Sequence, residues 1–296
     1  MSGSKVVVDV EGRQVALTNL EKMLYPDGFT KGQVLDYYTR VAPVLLPHLA
    51  GRALTRKRYP DGVEGQVFFE KNAPRGTPDW VRVVTLPSPG SSKNRETIDY
   101  VVVEDLAALV WTANLAALEL HTHMWRVSDD GAALPPGLVV FDLDPGPPAT
   151  IVECCQVAQQ LRPLLEADGL QPLAKTSGSK GLQLYARADR FGSAEETSSY
   201  AKGLAQRLEK ESPELVVHRM TKSLRGGKVL VDWSQNSAAK TTVSVYSLRA
   251  REHPTVSTPV TWEEVESCSA PGDLVFTSED VLARVEEHGD LFAPLL

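Results

Sequence analysis

The sequence has few cysteines and no long apolar run. Three of its 296 residues are cysteine, Cys154, Cys155 and Cys268, and they form neither a Cys-x-x-Cys pair nor the framework of a secreted disulfide protein. No stretch reaches the roughly 18 apolar residues that a membrane span needs, and the first residues lack the apolar core of a signal peptide. The composition therefore predicts a cytoplasmic protein whose cysteines are buried thiols.

The chain also lacks an overall positive charge, which at first argues against a nucleic-acid partner. Its formal net charge is −7. The charge is segregated, however: residues 171–251 hold 14 Lys and Arg against 7 Asp and Glu, whereas residues 252–296 hold 1 against 10. A basic segment inside an acidic chain indicates a local site for a polyanion, and the acidic tail is typical of a solvated surface.

The pattern of the chain predicts a mixed α/β, or α+β, fold, and its length allows one large domain or two modest ones around a shared cleft. Strands are expected at residues 5–9, 14–18, 52–58, 66–71, 81–86, 97–103, 137–143, 172–176, 182–187, 215–219, 228–233 and 241–247. Helices are expected at 34–49 and 150–169, from Ser193, Thr261 and Ser278 onward, and at 106–120 with Asp105 as a cap. Residues 86–92 read as a loop, and residues 129–136 as a break between an N-terminal module, 1–130, and an acid-bearing module, 137–250, with an acidic helical segment at 252–296.

Three aspartates are candidate ligands for a metal ion. Asp142 and Asp144 follow an apolar run, and residues i and i+2 of a strand project to the same face, so the two carboxylates point at one spot. Asp232 ends another apolar run, where a buried carboxylate needs a cation or hydrogen-bond partners. Together they could hold two divalent ions for an in-line phosphoryl transfer. Alone, an Asp-x-Asp string followed by Pro-Gly is more typical of a turn than of a metal site.

The string Lys-Thr-Ser-Gly-Ser-Lys-Gly at residues 175–181 is a candidate phosphate-binding loop. Its backbone N–H groups and the hydroxyls of Ser177 and Ser179 could surround phosphate oxygens, and Lys180 supplies a positive charge. The spacing differs from that of a Walker A loop. Taken by itself, the string is also typical of a hairpin turn.

Two histidines, His121 and His123, could suggest a zinc site or a phosphoesterase. No Cys or His lies at ligand spacing elsewhere, which argues against zinc. A hydrogen bond from one of the two histidines to a phosphate or carboxylate is the better interpretation.

Cations and aromatic residues alternate in two neighbouring predicted strands. Lys57 and Arg58 lie in the first, and Phe68 and Phe69 lie in the second. Cations neutralise phosphates and an exposed ring can stack on an unpaired base, so the pair of strands is a candidate path for a template. The alternative is a solvated basic strand beside a hairpin whose phenylalanines enter the core. A second basic cluster, 220–228, leads directly into Asp232.

Several of these strings resemble one known family. Phe-Asp-Leu-Asp-Pro-Gly (141–146), Thr-Ser-Gly-Ser-Lys-Gly (176–181), Met-Thr-Lys-Ser-Leu-Arg-Gly-Gly-Lys-Val (220–229), Val-Asp-Trp-Ser-Gln-Asn (231–236) and Tyr-Ser-Leu-Arg (246–249) are similar to motifs of the polymerase domain of bacterial ATP-dependent DNA ligase D. That family belongs to the archaeo-eukaryotic primase superfamily. The resemblance implies a single domain, residues 1–296, with a primase-polymerase fold in which two sheets are flanked by helices and the active site lies in the cleft between them.

The resemblance further implies a template-dependent polymerase that prefers ribonucleotides, uses two Mn²⁺ (or Mg²⁺) ions and fills gaps and broken ends during non-homologous end joining. Its partners would be gapped duplex DNA with a downstream 5′-phosphate, Ku and an ATP-dependent DNA ligase, near the nucleoid. By motif match, the metal ligands and catalytic residues would be Asp142, Asp144 and Asp232. The residues for the nucleotide would be His121, Ser177, Ser179, Lys180, Arg225, Gln235 and Arg249. The residues for DNA would be Lys57, Arg58 and either Phe68 or Phe69, with Lys22 and Lys31 at the 5′-phosphate.

One departure concerns the ligase. The sequence has no Lys-x-Asp-Gly string, so this chain cannot seal nicks, and it is either an isolated domain or a stand-alone relative. Free-standing members suggest short-gap filling in excision repair as an alternative. Two further alternatives are a metal-dependent phosphoesterase or nuclease that uses His121 and His123, and a DNA-end binder without catalytic activity.

Overall fold

The computed structural model describes residues 5–88 and 96–296, and within them it contains six α-helices and sixteen strands. The helices are α1 (Lys31–Leu49), α2 (Leu106–Asn114), α3 (Ile151–Ala167), α4 (Ala194–Glu211), α5 (Trp262–Ser267) and α6 (Ser278–His288). The strands are β1 (Lys5–Val10), β2 (Arg13–Thr18), β3 (Ala53–Arg58), β4 (Phe68–Glu70), β5 (Arg82–Pro87), β6 (Thr97–Val102), β7 (Ala117–Thr122), β8 (Trp125–Val127), β9 (Ala133–Pro136), β10 (Leu138–Pro145), β11 (Leu173–Thr176), β12 (Leu182–Arg187), β13 (Val216–Val217), β14 (Val229–Asp232), β15 (Thr242–Val243) and β16 (Pro259–Val260). The predicted mixed α/β class is confirmed.

The first of two six-stranded sheets carries the three aspartates. Its strand order is β13-β14-β10-β12-β11-β16, and β10 lies antiparallel to both β12 and β14. Helices α3 and α4 cover one face of this sheet with a buried apolar core that includes Phe141, Leu161 and Leu184. Cys154 and Cys155 lie in this core, whereas Cys268 is half-buried. Asp142 and Asp144 therefore lie on a central strand of the sheet, and Asp232 lies on the neighbouring strand β14.

The second six-stranded sheet has the order β15-β7-β3-β6-β5, with β4 paired to β3. Helices α1 and α2 pack together and bury their apolar residues against this sheet, where Tyr38, Leu45 and Leu118 are fully enclosed. The first turn of α1 is held by a capping box in which Thr30 and Gln33 bond to each other's backbone. Short pairs, β1 with β2 and β8 with β9, flank the two sheets.

The prediction of one helix is wrong in its C-terminal part. The run 106–120 was expected to be one helix, but α2 ends at Asn114, Ala116 adopts a left-handed conformation with φ 57°, and the chain continues as strand β7. Asp105 does cap α2, since its side chain accepts a hydrogen bond from the N–H of Ala108. Both the helix and the strand are buried, so an unbroken Ala/Leu run carries no periodicity that separates them.

Other predictions differ in extent. Predicted strands 66–71, 215–219 and 241–247 are reduced to two or three residues each, and the expected break at 129–136 contains β9. The predicted loop at 86–92 begins with two residues that end β5, and residues 89–95 lie outside the described residues. Among the helices of the described part, none combines the length and apolar character that crossing a membrane requires.

Candidate active site

A cavity of about 430 Å³ opens between the two sheets. The predicted site residues that line it are His121, Asp142, Asp144, Ser177, Ser179, Lys180, Gln235 and Arg249. Gln183, Thr242 and Arg251 line it as well. Asp142 and Gln183 come from the first sheet, and His121 and Thr242 come from the second. Residues far apart in sequence therefore meet in one cleft, with carboxylates and cations facing the same space.

Strand pairing sets the positions of the three aspartates. On β10, Asp142 lies opposite Gln183 of β12 on one side and opposite Asp232 of β14 on the other. Asp144 follows two residues later on the same strand. The side-chain amide of Gln183 donates a 2.9 Å hydrogen bond to Asp142 Oδ1, and its carbonyl accepts a 2.5 Å bond from the buried Lys175. Asp142 is thus held in place by a chain of hydrogen bonds that runs through Gln183 to the buried Lys175.

Asp142 and Asp144 have raised pKa values because they are removed from water and lie close to other carboxylates. Burial and the neighbouring charge of Asp144 raise the pKa of Asp142 to about 7, despite the hydrogen bond from Gln183. Loss of water at the cavity wall and the charge of Asp232 likewise raise the pKa of Asp144, although Arg225 and Arg249 oppose the shift. Like charges at one spot favour a bound cation, and carboxylate oxygens are suitable ligands for a hard divalent ion.

Asp232 occupies a different environment. It is buried beside Asp142, and its carboxylate accepts hydrogen bonds from the backbone N–H of Ser234 at 3.0 Å and from Gln235 Nε2 at 3.0 Å. Within residues 5–88 and 96–296, no group of three or more His, Cys, Asp or Glu side chains forms a ready-made set of metal ligands. The three aspartates are neighbours, but only Asp142 and Asp144 face the cavity.

The candidate phosphate loop is the tight connection between β11 and β12. The N–H of Ser177 donates to the carbonyl of Gly181 at 2.9 Å, and Ser177 Oγ accepts from the N–H groups of Ser179 and Gly181. Those two N–H groups are therefore directed at a side chain of the loop itself. A Cβ on Gly181 would lie 2.2 Å from the carbonyl oxygen of Leu143, so glycine is needed where the loop contacts β10.

Cations surround this loop. Lys180 is exposed at the mouth of the cavity, Arg249 donates to the carbonyl of Ser177, and Arg251 donates to Ser179 Oγ. Arg225 does not line the cavity, and its guanidinium donates to the carbonyl of Met220. Its charge nevertheless opposes the rise in the pKa of Asp144.

The two histidines lie in different environments. His121 lines the cavity, and its Nε2 lies 2.9 Å from Glu119 Oε2. His123 is buried in the connection between β7 and β8, where it stacks on Trp125 with a centroid separation of 4.3 Å, and burial lowers its pKa to about 3. The structure therefore brings His121 to the acids and leaves His123 in the protein interior.

The predicted template strands form a hairpin beside the cavity. In the pairing of β3 with β4, Lys57 lies opposite Phe69 and Arg58 lies opposite Phe68. Both phenylalanines are solvent-exposed, 36% for Phe68 and 54% for Phe69, so neither belongs to the core. Phe69 also approaches His121, with ring centroids 6.4 Å apart. An exposed aromatic edge thus adjoins the cavity, as the template interpretation requires.

Lys22 and Lys31 lie together on the side of the second sheet. Lys22 forms a 2.9 Å ion pair with Asp61, and Lys31 is buried with its Nζ 2.6 Å from the carbonyl oxygen of Thr18. Burial, followed by the charges of Lys22 and Arg58, lowers the pKa of Lys31 to about 8. Lys22 and Arg58 therefore lie close enough to Lys31 to act on its charge, although Lys22 is paired with Asp61 and Arg58 with Glu70.

Comparison with known proteins identifies the family. The family model described as "LigD, primase-polymerase domain" matches residues 30–292. The chain belongs to this family.

Similarity to two LigD proteins supports the assignment to the LigD primase-polymerase family. The chain is 44% identical over 283 residues to "Multifunctional non-homologous end joining protein LigD" of Mycolicibacterium smegmatis, with 95% of this chain and 36% of that protein covered. It is 31% identical to "Bifunctional non-homologous end joining protein LigD" of Bacillus subtilis, with 93% and 43% covered. The chain thus spans less than half the length of these curated relatives.

A solved structure is similar over nearly the whole chain. The "Polymerase Domain from Mycobacterium tuberculosis Ligase D in complex with DNA" superposes with a TM-score of 0.89 at 43% identity, covering 95% of this chain and 97% of that one. The fold described above is therefore that of a LigD polymerase domain.

Three residues at the site of this LigD-family chain were missed by sequence reasoning. Gln183 stands in a predicted strand among apolar residues, and nothing in its spacing marks it. Arg251 follows Arg249 in a bend, where its N–H donates to the carbonyl of Arg249, so no strand alternation marks it. Glu119 was hidden because its strand was predicted as a helix.

Proposed function

We propose that this chain is a DNA-directed nucleotidyltransferase that adds nucleotides, preferentially ribonucleotides, at gaps and broken ends during non-homologous end joining. The observation that carries the proposal is the cavity in which Asp142 and Asp144 face Ser177, Lys180 and Arg249. Carboxylates opposite cations in a cleft of about 430 Å³ suit a triphosphate accompanied by divalent metal ions. The names of the LigD relatives and the DNA-bound structural neighbour support the same conclusion.

The donor set fits two divalent ions of the Mn²⁺ or Mg²⁺ type. Asp142 and Asp144 would be ligands directly, and Asp232 would join them by exchanging its hydrogen bond from Gln235 for a metal ion. Bound ions would lower the pKa of the attacking 3′-hydroxyl and neutralise the charge of the leaving pyrophosphate. Gln183 holds Asp142 in place for this role.

The remaining residues would bind and orient the substrates. Lys180, Arg249 and Arg225 would hold the phosphates, with Ser177, Ser179 and His121 completing the contact and Gln235 near the nucleotide. Lys57 and Arg58 would bind the DNA backbone, and Phe68 or Phe69 would stack on a template base. Lys22 and Lys31 would bind the downstream 5′-phosphate. Positioning and charge neutralisation would supply most of the rate.

The burial of His123 argues against the phosphoesterase or nuclease alternative, which would place both histidines at the metal ions. Ku and an ATP-dependent DNA ligase activity are the expected partners, in keeping with the end-joining names of the relatives.

The test is single-nucleotide addition to a labelled primer in a short gap. Ribo- and deoxyribonucleotides are compared with Mn²⁺, with Mg²⁺ and with chelator, and with or without a downstream 5′-phosphate. We expect metal-dependent extension that favours ribonucleotides and the 5′-phosphate. Primer degradation in the absence of nucleotide would show a nuclease instead, and DNA binding without either reaction would show an end binder.

A further inference from the structure

Glu119 is a buried carboxylate that contacts three of the residues assigned to substrate binding, the cations Lys57 and Arg249 and the imidazole of His121. Its Oε2 accepts hydrogen bonds of 2.9 Å from Lys57 Nζ and of 2.9 Å from His121 Nε2. Its Oε1 accepts a 3.1 Å bond from the N–H of Ala250 and lies 3.4 Å from Arg249 Nε. The side chain is 2% exposed, so all of its partners are protein groups.

The position of Glu119 follows from strand geometry. Lys57 lies directly opposite it in the pairing of β3 with β7, and His121 lies two residues further along β7 on the same face. The segment of Arg249 and Ala250 passes over this face and reaches the other sheet, where Arg249 donates to the carbonyl of Ser177 in the phosphate loop. One carboxylate therefore connects the DNA-binding hairpin, the cavity histidine and the phosphate loop.

The carboxylate is charged throughout the working pH range. Burial alone would raise the pKa of Glu119, but the hydrogen bond from His121 and the charges of Arg249 and Lys57 outweigh it and hold the pKa well below its ordinary value. The fixed negative charge offsets the mutual repulsion of the cations gathered around it. Because Lys57 and Arg249 are also proposed to bind phosphates, their orientation depends on the carboxylate of Glu119, which stays charged and in place.

We propose that Glu119 is a positioning residue that aligns His121 and Arg249 with the incoming nucleotide and Lys57 with the template strand. The proposal rests on the proposed function, because it assigns Glu119 a role in binding the same two substrates. A purely structural ion pair would stabilise the fold without linking the two binding events.

The decisive variant is Glu119→Gln, which keeps the shape and removes the charge. We expect the KM for the nucleotide to rise about tenfold and the Kd for gapped DNA to rise severalfold, with kcat changed less. Glu264→Gln is the matched control, since Glu264 holds Arg284 through both of its oxygens and does not line the cavity. That control is expected to leave KM and Kd unchanged.

Double-mutant cycles separate positioning from stability. If Glu119 acts through His121, the nucleotide KM of the Glu119→Gln/His121→Ala double variant rises by less than the product of the two single-variant fold changes. If Glu119 acts through Lys57, the Kd of the Glu119→Gln/Lys57→Met double variant for gapped DNA likewise rises by less than the product of its single-variant fold changes. When Glu264→Gln is combined with His121→Ala or Lys57→Met, the fold changes in KM and Kd are expected to be the products of the single-variant fold changes. Multiplicative effects in the Glu119 cycles would overturn the proposal.

A further cycle covers the case in which Glu119→Gln does not fold. Lys57→Met and His121→Ala, made singly and together with Glu119 intact, should show coupled effects on nucleotide KM, because both act on one carboxylate. Independent effects would again reject the proposal. Failure of the proposed function would be distinct, since the unaltered protein would then add no nucleotide at all.

Discussion

Asp142 and Asp232 lie directly opposite each other on the antiparallel strands β10 and β14. Two carboxylates at paired positions repel each other unless a cation or hydrogen bonds separate them. Gln183 and Gln235 each donate to one of the two carboxylates, at 2.9 Å to Asp142 and 3.0 Å to Asp232. The pair is thus arranged so that divalent ions are the natural counter-charge.

From this pairing we expect Asp142→Ala and Asp232→Ala to abolish nucleotide addition, by at least a thousandfold, while gapped DNA still binds. In the proposed function the metal-dependent step needs the carboxylates, whereas the proposed DNA contacts come from cations on the hairpin of β3 and β4. Primer extension and a binding titration on the same preparations measure the two effects. Asp36→Ala, at an exposed position of α1, serves as the control. Extension retained in either cavity variant would contradict the metal-site proposal.

The raised pKa of Asp142 predicts how stability depends on pH. Because burial and Asp144 raise the pKa from 3.8 to about 7 in the folded protein, the folded state binds more protons than the unfolded state between these values. The free energy of unfolding therefore falls as pH rises through this window. We expect Asp142→Asn, with chelator present, to be more stable than the unaltered protein at pH 8 by on the order of 1–2 kcal/mol.

The same difference should shrink toward pH 4, where the unaltered carboxyl is protonated in the folded protein. Chemical denaturation at pH 8, 5.5 and 4 measures it, with Asp36→Asn as the matched substitution. A constant difference across these pH values would mean that the charge of Asp142 does not oppose folding.

The sequence predicted the acids because strand alternation and an adjacent apolar run are local signals. Asp142 and Asp144 could be recognised from the two-residue alternation of a strand. The pairing of Asp142 with Asp232 depends instead on the register between segments 90 residues apart, which no local pattern specifies. Glu119 was missed for a related reason: Ala117 to Leu120 is fully buried, so its apolar run carries no alternation. The assignments of Lys22 and Lys31 came from family resemblance, because isolated lysines resemble surface residues.

Gly181 provides a test of the contact between the phosphate loop and β10. A Cβ at this position would lie 2.2 Å from the carbonyl oxygen of Leu143, so Gly181→Ala must displace the loop or the strand. We expect a loss of about 1–3 kcal/mol in stability and a raised KM for the nucleotide. Thermal denaturation and primer extension measure the two effects.

The matched substitution is Gly203→Ala in the interior of α4, where an added Cβ meets no atom within 4 Å. This change should stabilise the protein by about 0.5–1 kcal/mol without altering KM, because alanine is the better helix former. Unchanged KM in Gly181→Ala would indicate that the loop does not hold the nucleotide.

Lys31 predicts a pH dependence for recognition of the downstream 5′-phosphate. Since burial and the charges of Lys22 and Arg58 lower its pKa to about 8, Lys31 loses its proton as pH rises from 7 to 9, and its positive charge is no longer available to a phosphate. We expect the preference for a 5′-phosphorylated gap, measured as a ratio of Kd values, to fall severalfold over this range. Lys22→Ala should reduce the preference at pH 7, whereas Lys210→Ala, on an exposed turn of α4, should not. A preference that is unchanged from pH 7 to 9 would exclude Lys31 as a phosphate ligand, since an uncharged amine in so buried a position cannot attract the phosphate dianion.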